Sequence, residues 1–69
     1  MIYLFSMNGK EIIKKLEQAG WKLSRIEGSH HVMEKAGFLR PVPVPVHGSQ
    51  DIGIGLLKKI EKQSGVRLK

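Results

Sequence analysis

The sequence predicts an α+β fold of two layers, in which two helices cover one face of a three-stranded antiparallel sheet in the order α-β-β-β-α. Three observations support this fold class. Apolar stripes at helical spacing lie near both ends of the chain, glycine-containing turns separate short alternating segments between them, and a proline–valine alternation follows the second turn. The 69 residues suffice for a single domain over 1–69, with its core at about 7–66.

The first helix is predicted over about 9–19, from its boundaries as much as from its apolar spacing. Asn8 and Glu11 have the spacing of a capping box, and Gly20 supplies a left-handed stop. The lysines fall largely on the side opposite one apolar stripe, which consists of Ile12, Ile13, Leu16 and Ala19.

The second helix is predicted to begin near Gly55 and to end at Gly65. Its lysines lie on the outer surface, and Val66 is expected to fold back as the hydrophobic contact that follows the cap. The apolar positions spaced for this helix are Leu56, Leu57 and Ile60.

Three short strands are predicted between the helices, at 21–26, 30–35 and 41–46. Polar and apolar residues alternate in the first two, and a turn at 27–29 joins them. A second turn at 36–37 precedes the third strand, which makes the sheet an antiparallel meander.

Alternation in the second strand places His30 and Val32 on one face, and His31 and Met33 on the other. Because Val32 and Met33 are equally acceptable core residues, the pattern leaves open which face the helices cover. The two neighbouring histidines are not expected to share one role.

The third predicted strand, Pro41–Val46, alternates proline and valine without a break. Since the prolines share one parity, their missing N–H groups all point to one edge, whereas the valine N–H groups face the second strand. The pattern predicts an edge strand whose valines cover the core and whose outer side does not recruit another strand. A polyproline II segment is the alternative.

The stretch at 1–6 is apolar but too short for a signal-peptide core, and it has no basic lead. We favour Met7 as the true start of the protein; a short strand or a contact with a partner are the alternatives. Since no run of about 18 apolar residues is present, no membrane segment is predicted. We expect a cytoplasmic protein, and the lack of cysteine fits a reducing compartment.

The composition excludes several kinds of chemistry and favours one class of partner. Without cysteine there is no disulfide framework, thiolate zinc site or cysteine nucleophile. No Walker-type loop, HExxH motif or dinucleotide fingerprint occurs, and no third ligand type is spaced with the histidines, so neither cofactor nor metal is expected. A net charge of +6 favours a polyanionic partner, most often nucleic acid.

The segment Gly28-Ser29-His30 is the strongest candidate for chemistry. A histidine gives and takes protons near neutral pH, and RNA carries its own nucleophile in the 2′-hydroxyl group. Gly28 and Ser29 would let the backbone approach a phosphate, while Ser29 has no acidic partner that would make it a nucleophile. His47 is the auxiliary candidate if its loop converges on His30. From composition alone, a capping or surface role for His30 is the plainer interpretation.

Lys22, Arg25 and Lys35 lie on or near the predicted strands, and they are the candidates for RNA phosphate contacts. The helix lysines are expected to form solvated faces, and Trp21 is expected in the core. With four aromatic residues, the chain does not show the pattern of single-strand binding by base stacking.

Five segments have an order and spacing typical of one protein family: Gly9-Lys10-Glu11, Leu16–Trp21, Gly28–His31, Val44–His47 and Gly55–Gly65. In these segments the chain resembles the HicA toxins, also called the YcfA-like family, over Met7 to about Val66. Leu56 departs from the family pattern, since many relatives have threonine there, and the third strand has more prolines than usual.

The resemblance implies a fold like that of double-stranded-RNA-binding domains and a toxin of a type II toxin–antitoxin system. HicA proteins are mRNA interferases, endoribonucleases that arrest translation in a stress response, and their partner is the HicB antitoxin. The family's essential histidine corresponds to His30, which would act as general acid or base without a metal. A non-catalytic RNA-binding module or an inactive toxin relative is the alternative. A third interpretation is a protein whose main role is to bind one partner.

Overall fold

The protein has the α-β-β-β-α order that the sequence predicts. The structure is a computed structural model that describes residues 7–68, and the predicted extension at 1–6 lies outside the described residues. The strands pair antiparallel in the spatial order β1-β2-β3 and form a three-stranded sheet, as expected. The elements are α1 (Gly9–Gln18), β1 (Lys22–Glu27), β2 (His30–Glu34), β3 (Val42–Pro45) and α2 (Ile54–Ser64).

Both ends of α1 are fixed by the signals that predicted them. The Asn8 side chain accepts from the Glu11 N–H at 2.9 Å, and the Asn8 N–H donates to Glu11 Oε1 at 2.9 Å, which completes the capping box. After the helix, Gly20 has φ +99° and the Trp21 N–H donates to the Leu16 carbonyl at 2.9 Å, as in a Schellman motif.

The two-residue turn Gly28-Ser29 joins β1 and β2, but β1 does not alternate regularly. A β-bulge at Ser24 shifts the register between Leu23 and Arg25. The inserted residue puts Lys22, Arg25 and Glu27 on one face of the sheet, whereas regular alternation would place Lys22 opposite the other two. The simple alternation predicted for β1 was therefore wrong.

The strand β3 confirms the prediction from its prolines. It lies at the edge of the sheet, Val42 pairs with Met33, and Val44 pairs with His31. Both valines are buried, so the extended segment is a strand and not polyproline II. The connection from β2 to β3 is longer than the predicted turn, because the residues at 35–41 all lie outside the strands.

The core lies between the helices and the face of the sheet that carries Met33, which settles the orientation the sequence left open. Trp21 is buried as predicted, and Val66 packs against the core after Gly65, whose φ is +72°. Leu56, which was predicted among the apolar positions of the second helix, is exposed. Leu68, which the sequence analysis did not place in the core, is buried. The buried cluster contains Met7, Ile12, Leu16, Trp21, Met33, Val42, Val44, Leu57, Ile60 and Leu68.

The helices do not cover the strand β1 or the face of the sheet opposite to them. Both helices pack mainly on β3, and every residue of β1 is exposed. The face opposite the helices, which carries His30, is called the open face below. Within the described residues, neither helix is long and apolar enough to cross a membrane.

Gly9 allows the first turn of α1 to contact the end of β3. A Cβ added there would lie 2.3 Å from the Pro45 carbonyl oxygen and 2.9 Å from Val46 Cγ2. Real side chains do not approach a backbone oxygen so closely, so any other residue would displace the helix. The close contact explains why a glycine follows the helix cap.

We expect Gly9→Ala to lower the free energy of unfolding by about 1–3 kcal/mol, because the helix must move away from β3. Gly55→Ala is the matched control. Its Cβ would meet no atom within 4 Å, and an alanine inside α2 should stabilise the protein by about 0.5–1 kcal/mol. Chemical unfolding followed by circular dichroism measures both changes, and equal effects of the two variants would contradict the contact.

Candidate active site on the open face of the sheet

His30 is the first residue of β2, and its side chain is exposed on the open face. It pairs with Glu27 on β1 and with Pro45 on β3. Directly opposed residues of antiparallel strands point to the same face, so Glu27 and Pro45 flank the imidazole. His31 lies on the helix side and is half-buried beside Val44, which separates the two histidines as expected.

The turn before His30 is held by a backbone hydrogen bond at Ser29 and is open to solvent at Gly28. Gly28 has φ +61°, as a two-residue hairpin turn with glycine in first position requires. No atom lies within 4 Å of the position that a Cβ would take there, so the backbone is open to a ligand. The Ser29 carbonyl accepts from the Val46 N–H at 2.7 Å, which ties the turn to the end of β3.

His47 lies at the same end of the sheet as His30. The bond between Val46 and Ser29 continues the pairing of β2 and β3 one residue beyond Pro45. His47 follows directly, is exposed, and its carbonyl accepts from the Gln50 N–H at 3.0 Å. The fold thus brings two exposed histidines from separate segments to one end of the sheet.

Arg25 lies on the open face between two carboxylates. It pairs in register with Val32, donates a side-chain hydrogen bond to Glu27, and its Nη1 lies 3.8 Å from Glu34 Oε2. The hydrogen bond to Glu27 and the charge of that carboxylate raise the pKa of Arg25 above its ordinary value; desolvation opposes this shift, and the charge of Glu34 adds to it. A phosphate group would therefore compete with carboxylates for this guanidinium group.

The two candidate lysines lie at the other end of the sheet. Lys22 pairs with Glu34, four positions from His30, which is about 13 Å along a strand. Lys35 donates from Nζ to the Ala19 carbonyl at 2.7 Å and lies 5.7 Å from the centre of the Phe38 ring. Its ammonium group thus caps the end of α1 instead of standing beside His30.

Glu27 is a site residue that the sequence interpretation missed. It is the last residue before the two-residue turn, and His30 is the first residue after it. Residues in these positions of a hairpin face each other, so the turn itself was the signal. Among the described residues, no group of three or more His, Cys, Asp or Glu side chains is placed to hold a metal ion.

The chain matches a family model described as the HicA toxin of bacterial toxin–antitoxin systems, and the match covers residues 9–66. The matched region contains both helices, all three strands and the candidate site. No curated protein matches the chain. Since the family model covers more than half of its residues, the chain belongs to the HicA toxin family and is a toxin of a toxin–antitoxin system.

Proposed function

We propose that this toxin is a metal-independent endoribonuclease, an mRNA interferase, with His30 as general acid or base. One observation carries the proposal: His30 is exposed on the open face directly after a turn that is held at Ser29 and open at Gly28. A proton-transferring group needs a fixed position and access to the substrate, and this arrangement supplies both.

The chemistry requires two proton transfers. The 2′-hydroxyl group attacks the adjacent phosphorus atom, the bond from phosphorus to the 5′-oxygen breaks, one proton leaves the 2′-oxygen, and one reaches the 5′-oxygen. His30 takes or gives one of these protons. His47, at the same end of the sheet, is the candidate for the other. Gly28 and Ser29 let the backbone approach the phosphate.

Phosphate binding depends on the cations of the open face. Arg25 is the best placed, since it lies beside Glu27, the register partner of His30, and it would exchange a carboxylate for a phosphate oxygen. Lys22 extends the contact along the strand. Lys35 is the least suited of the three predicted residues, because its ammonium group already binds the Ala19 carbonyl.

Membership of the toxin family supports the biological setting that we propose. The proposed substrate is mRNA in the cytoplasm, and cleavage would arrest translation. The proposed partner is a HicB-like antitoxin that binds this chain and neutralises it. Neither a cofactor nor a metal ion takes part in the proposed reaction.

A non-catalytic RNA-binding module is the second candidate, and the charges of the open face favour it. Lys22 and Arg25 are balanced there by Glu27 and Glu34. The excess positive charge lies elsewhere, including three exposed lysines on the outer side of α2, at Lys58, Lys59 and Lys62. Such a distribution suits binding through overall charge, and the two variants below separate these candidates.

We expect His30→Ala to lower the rate of RNA cleavage by about 100-fold or more, since a proton-transferring group is removed. His31→Gln is the matched control, because it changes the neighbouring histidine on the opposite face, and it should keep most of the activity. A cleavage time course in EDTA measures both. Folding should be checked by circular dichroism, and equal activity of wild type and His30→Ala would refute the catalytic role.

We expect Glu27→Gln to tighten RNA binding about threefold or more at low salt, because it releases Arg25 from its strongest partner. Glu17→Gln removes the same charge from an exposed position on α1 and serves as the control. A 2′-O-methyl RNA that cannot react is titrated at several salt concentrations. If both variants tighten binding equally, overall charge and not the open face determines RNA affinity.

A further inference from the structure

Glu27 lies within reach of two groups of the proposed site, Arg25 and His30. Its carboxylate accepts a hydrogen bond from the Arg25 Nε group on its own strand. Across the hairpin it faces His30, its register partner on β2. Directly opposed residues of antiparallel strands have Cβ atoms about 4.5–5.5 Å apart, so a glutamate in this position can reach the imidazole ring. The carboxylate can therefore bind either of two cations, the guanidinium group or a protonated His30.

The contact between Arg25 and Glu27 is exposed, so its partners can be exchanged. The Arg25 side chain is exposed by 51% and that of Glu27 by 60%. Water and salt screen ion pairs at such a surface, and these pairs hold their partners weakly. The oxygens of a phosphate group accept hydrogen bonds from a guanidinium group as those of a carboxylate do. An RNA phosphate can therefore displace Glu27 from Arg25.

Arg25 and His30 are close enough to act on one phosphate group. Arg25 precedes Glu27 by two positions and lies diagonally opposite His30 in the strand pair. Diagonal neighbours across antiparallel strands are about 7–8 Å apart, a gap that two long side chains and a phosphate group between them can fill. The phosphate that binds Arg25 would bring its reacting oxygens to His30, and it would leave Glu27 without its guanidinium partner.

A displaced Glu27 faces the group that carries positive charge during the reaction. Whether His30 takes a proton from the 2′-oxygen or gives one to the 5′-oxygen, the reaction passes through its protonated form. A carboxylate beside an imidazolium ion stabilises its charge and holds the ring in one orientation. On the other side of His30, Pro45 carries no titratable group, and His47 follows at the same end of the sheet.

Glu34 is a carboxylate that shares one of these properties and lacks the other. Its Oε2 lies 3.8 Å from Arg25 Nη1, so it also competes with phosphate for the guanidinium group. It pairs with Lys22, however, at the opposite end of β2 from His30. The two carboxylates of Arg25 therefore differ in whether they face the proposed catalytic histidine.

We propose that Glu27 is a positioning residue for His30, and that an RNA phosphate bound to Arg25 transfers this carboxylate from the guanidinium group to the imidazolium group. The inference rests on the proposed nuclease function and adds an order of events to it. The phosphate displaces Glu27, Glu27 turns to His30, and proton transfer follows. The same carboxylate thus weakens substrate binding and accelerates cleavage.

We expect Glu27→Gln to lower both KM and kcat. KM should fall about threefold or more, because Arg25 is free to bind phosphate, and kcat should fall about tenfold or more, because a neutral amide stabilises the imidazolium group less. Glu34→Gln is the matched control, since it removes the other carboxylate of Arg25 far from His30. It should lower KM and keep kcat within about twofold of the wild-type value. Steady-state cleavage of a short RNA in EDTA gives both constants.

Glu27→Asp tests whether the charge or the packing of the side chain is required. It keeps the carboxylate, so its kcat should lie at least threefold above that of Glu27→Gln, and circular dichroism should show the same fold in every variant. An unchanged kcat in Glu27→Gln, equal losses of kcat in Glu27→Gln and Glu34→Gln, or no gain in Glu27→Asp would each overturn the positioning role.

The His30→Ala variant separates this inference from the nuclease proposal on which it rests. If His30→Ala cleaves RNA as the wild type does, His30 is not catalytic and both proposals fail. If His30→Ala is inactive while Glu27→Gln keeps the wild-type kcat, the role of His30 stands and only that of Glu27 fails. A fall in KM without a fall in kcat would show that Glu27 acts on Arg25 alone.

Discussion

The pairing of β2 with β3 is the constraint on which the remainder of this small fold depends. Pro43 and Pro45 have no N–H group, so they occupy the positions of β3 that face away from β2. A slip by one residue would put prolines in the hydrogen-bonding positions and turn the buried valines to solvent. One register is therefore strongly favoured, and it decides that His30 lies on the open face while His31 lies under the helices.

The same register connects the candidate site to both layers of the protein. Val46 donates to Ser29 at one end of β3, and Gly9 brings the first turn of α1 against Pro45 at the same end. The turn that precedes His30 is thus held by backbone contacts and by a helix end. This arrangement explains how a chain with a core of few side chains holds an exposed histidine in a defined position.

Local signals allowed much of the fold to be predicted from the sequence, and non-local contacts explain what was missed. The cap at Asn8, the stop at Gly20 and the edge strand depend on neighbouring residues, so their patterns are visible in the chain. The bulge at Ser24 and the role of Lys35, which reaches Ala19 sixteen positions away, depend on tertiary pairing. At the site, His30 was predicted, whereas the ion pairs of Arg25 with Glu27 and Glu34 depend on side-chain geometry that the sequence pattern does not show.

The charged residues of the open face link its two ends. Arg25 associates with Glu27, which opposes His30, and with Glu34, which pairs with Lys22 at the other end of the sheet. An RNA phosphate at the first end would compete with both carboxylates for this one guanidinium group. Because Arg25 can pair with the carboxylates or with a phosphate, the RNA affinity of the open face depends on how readily Glu27 and Glu34 release its guanidinium group.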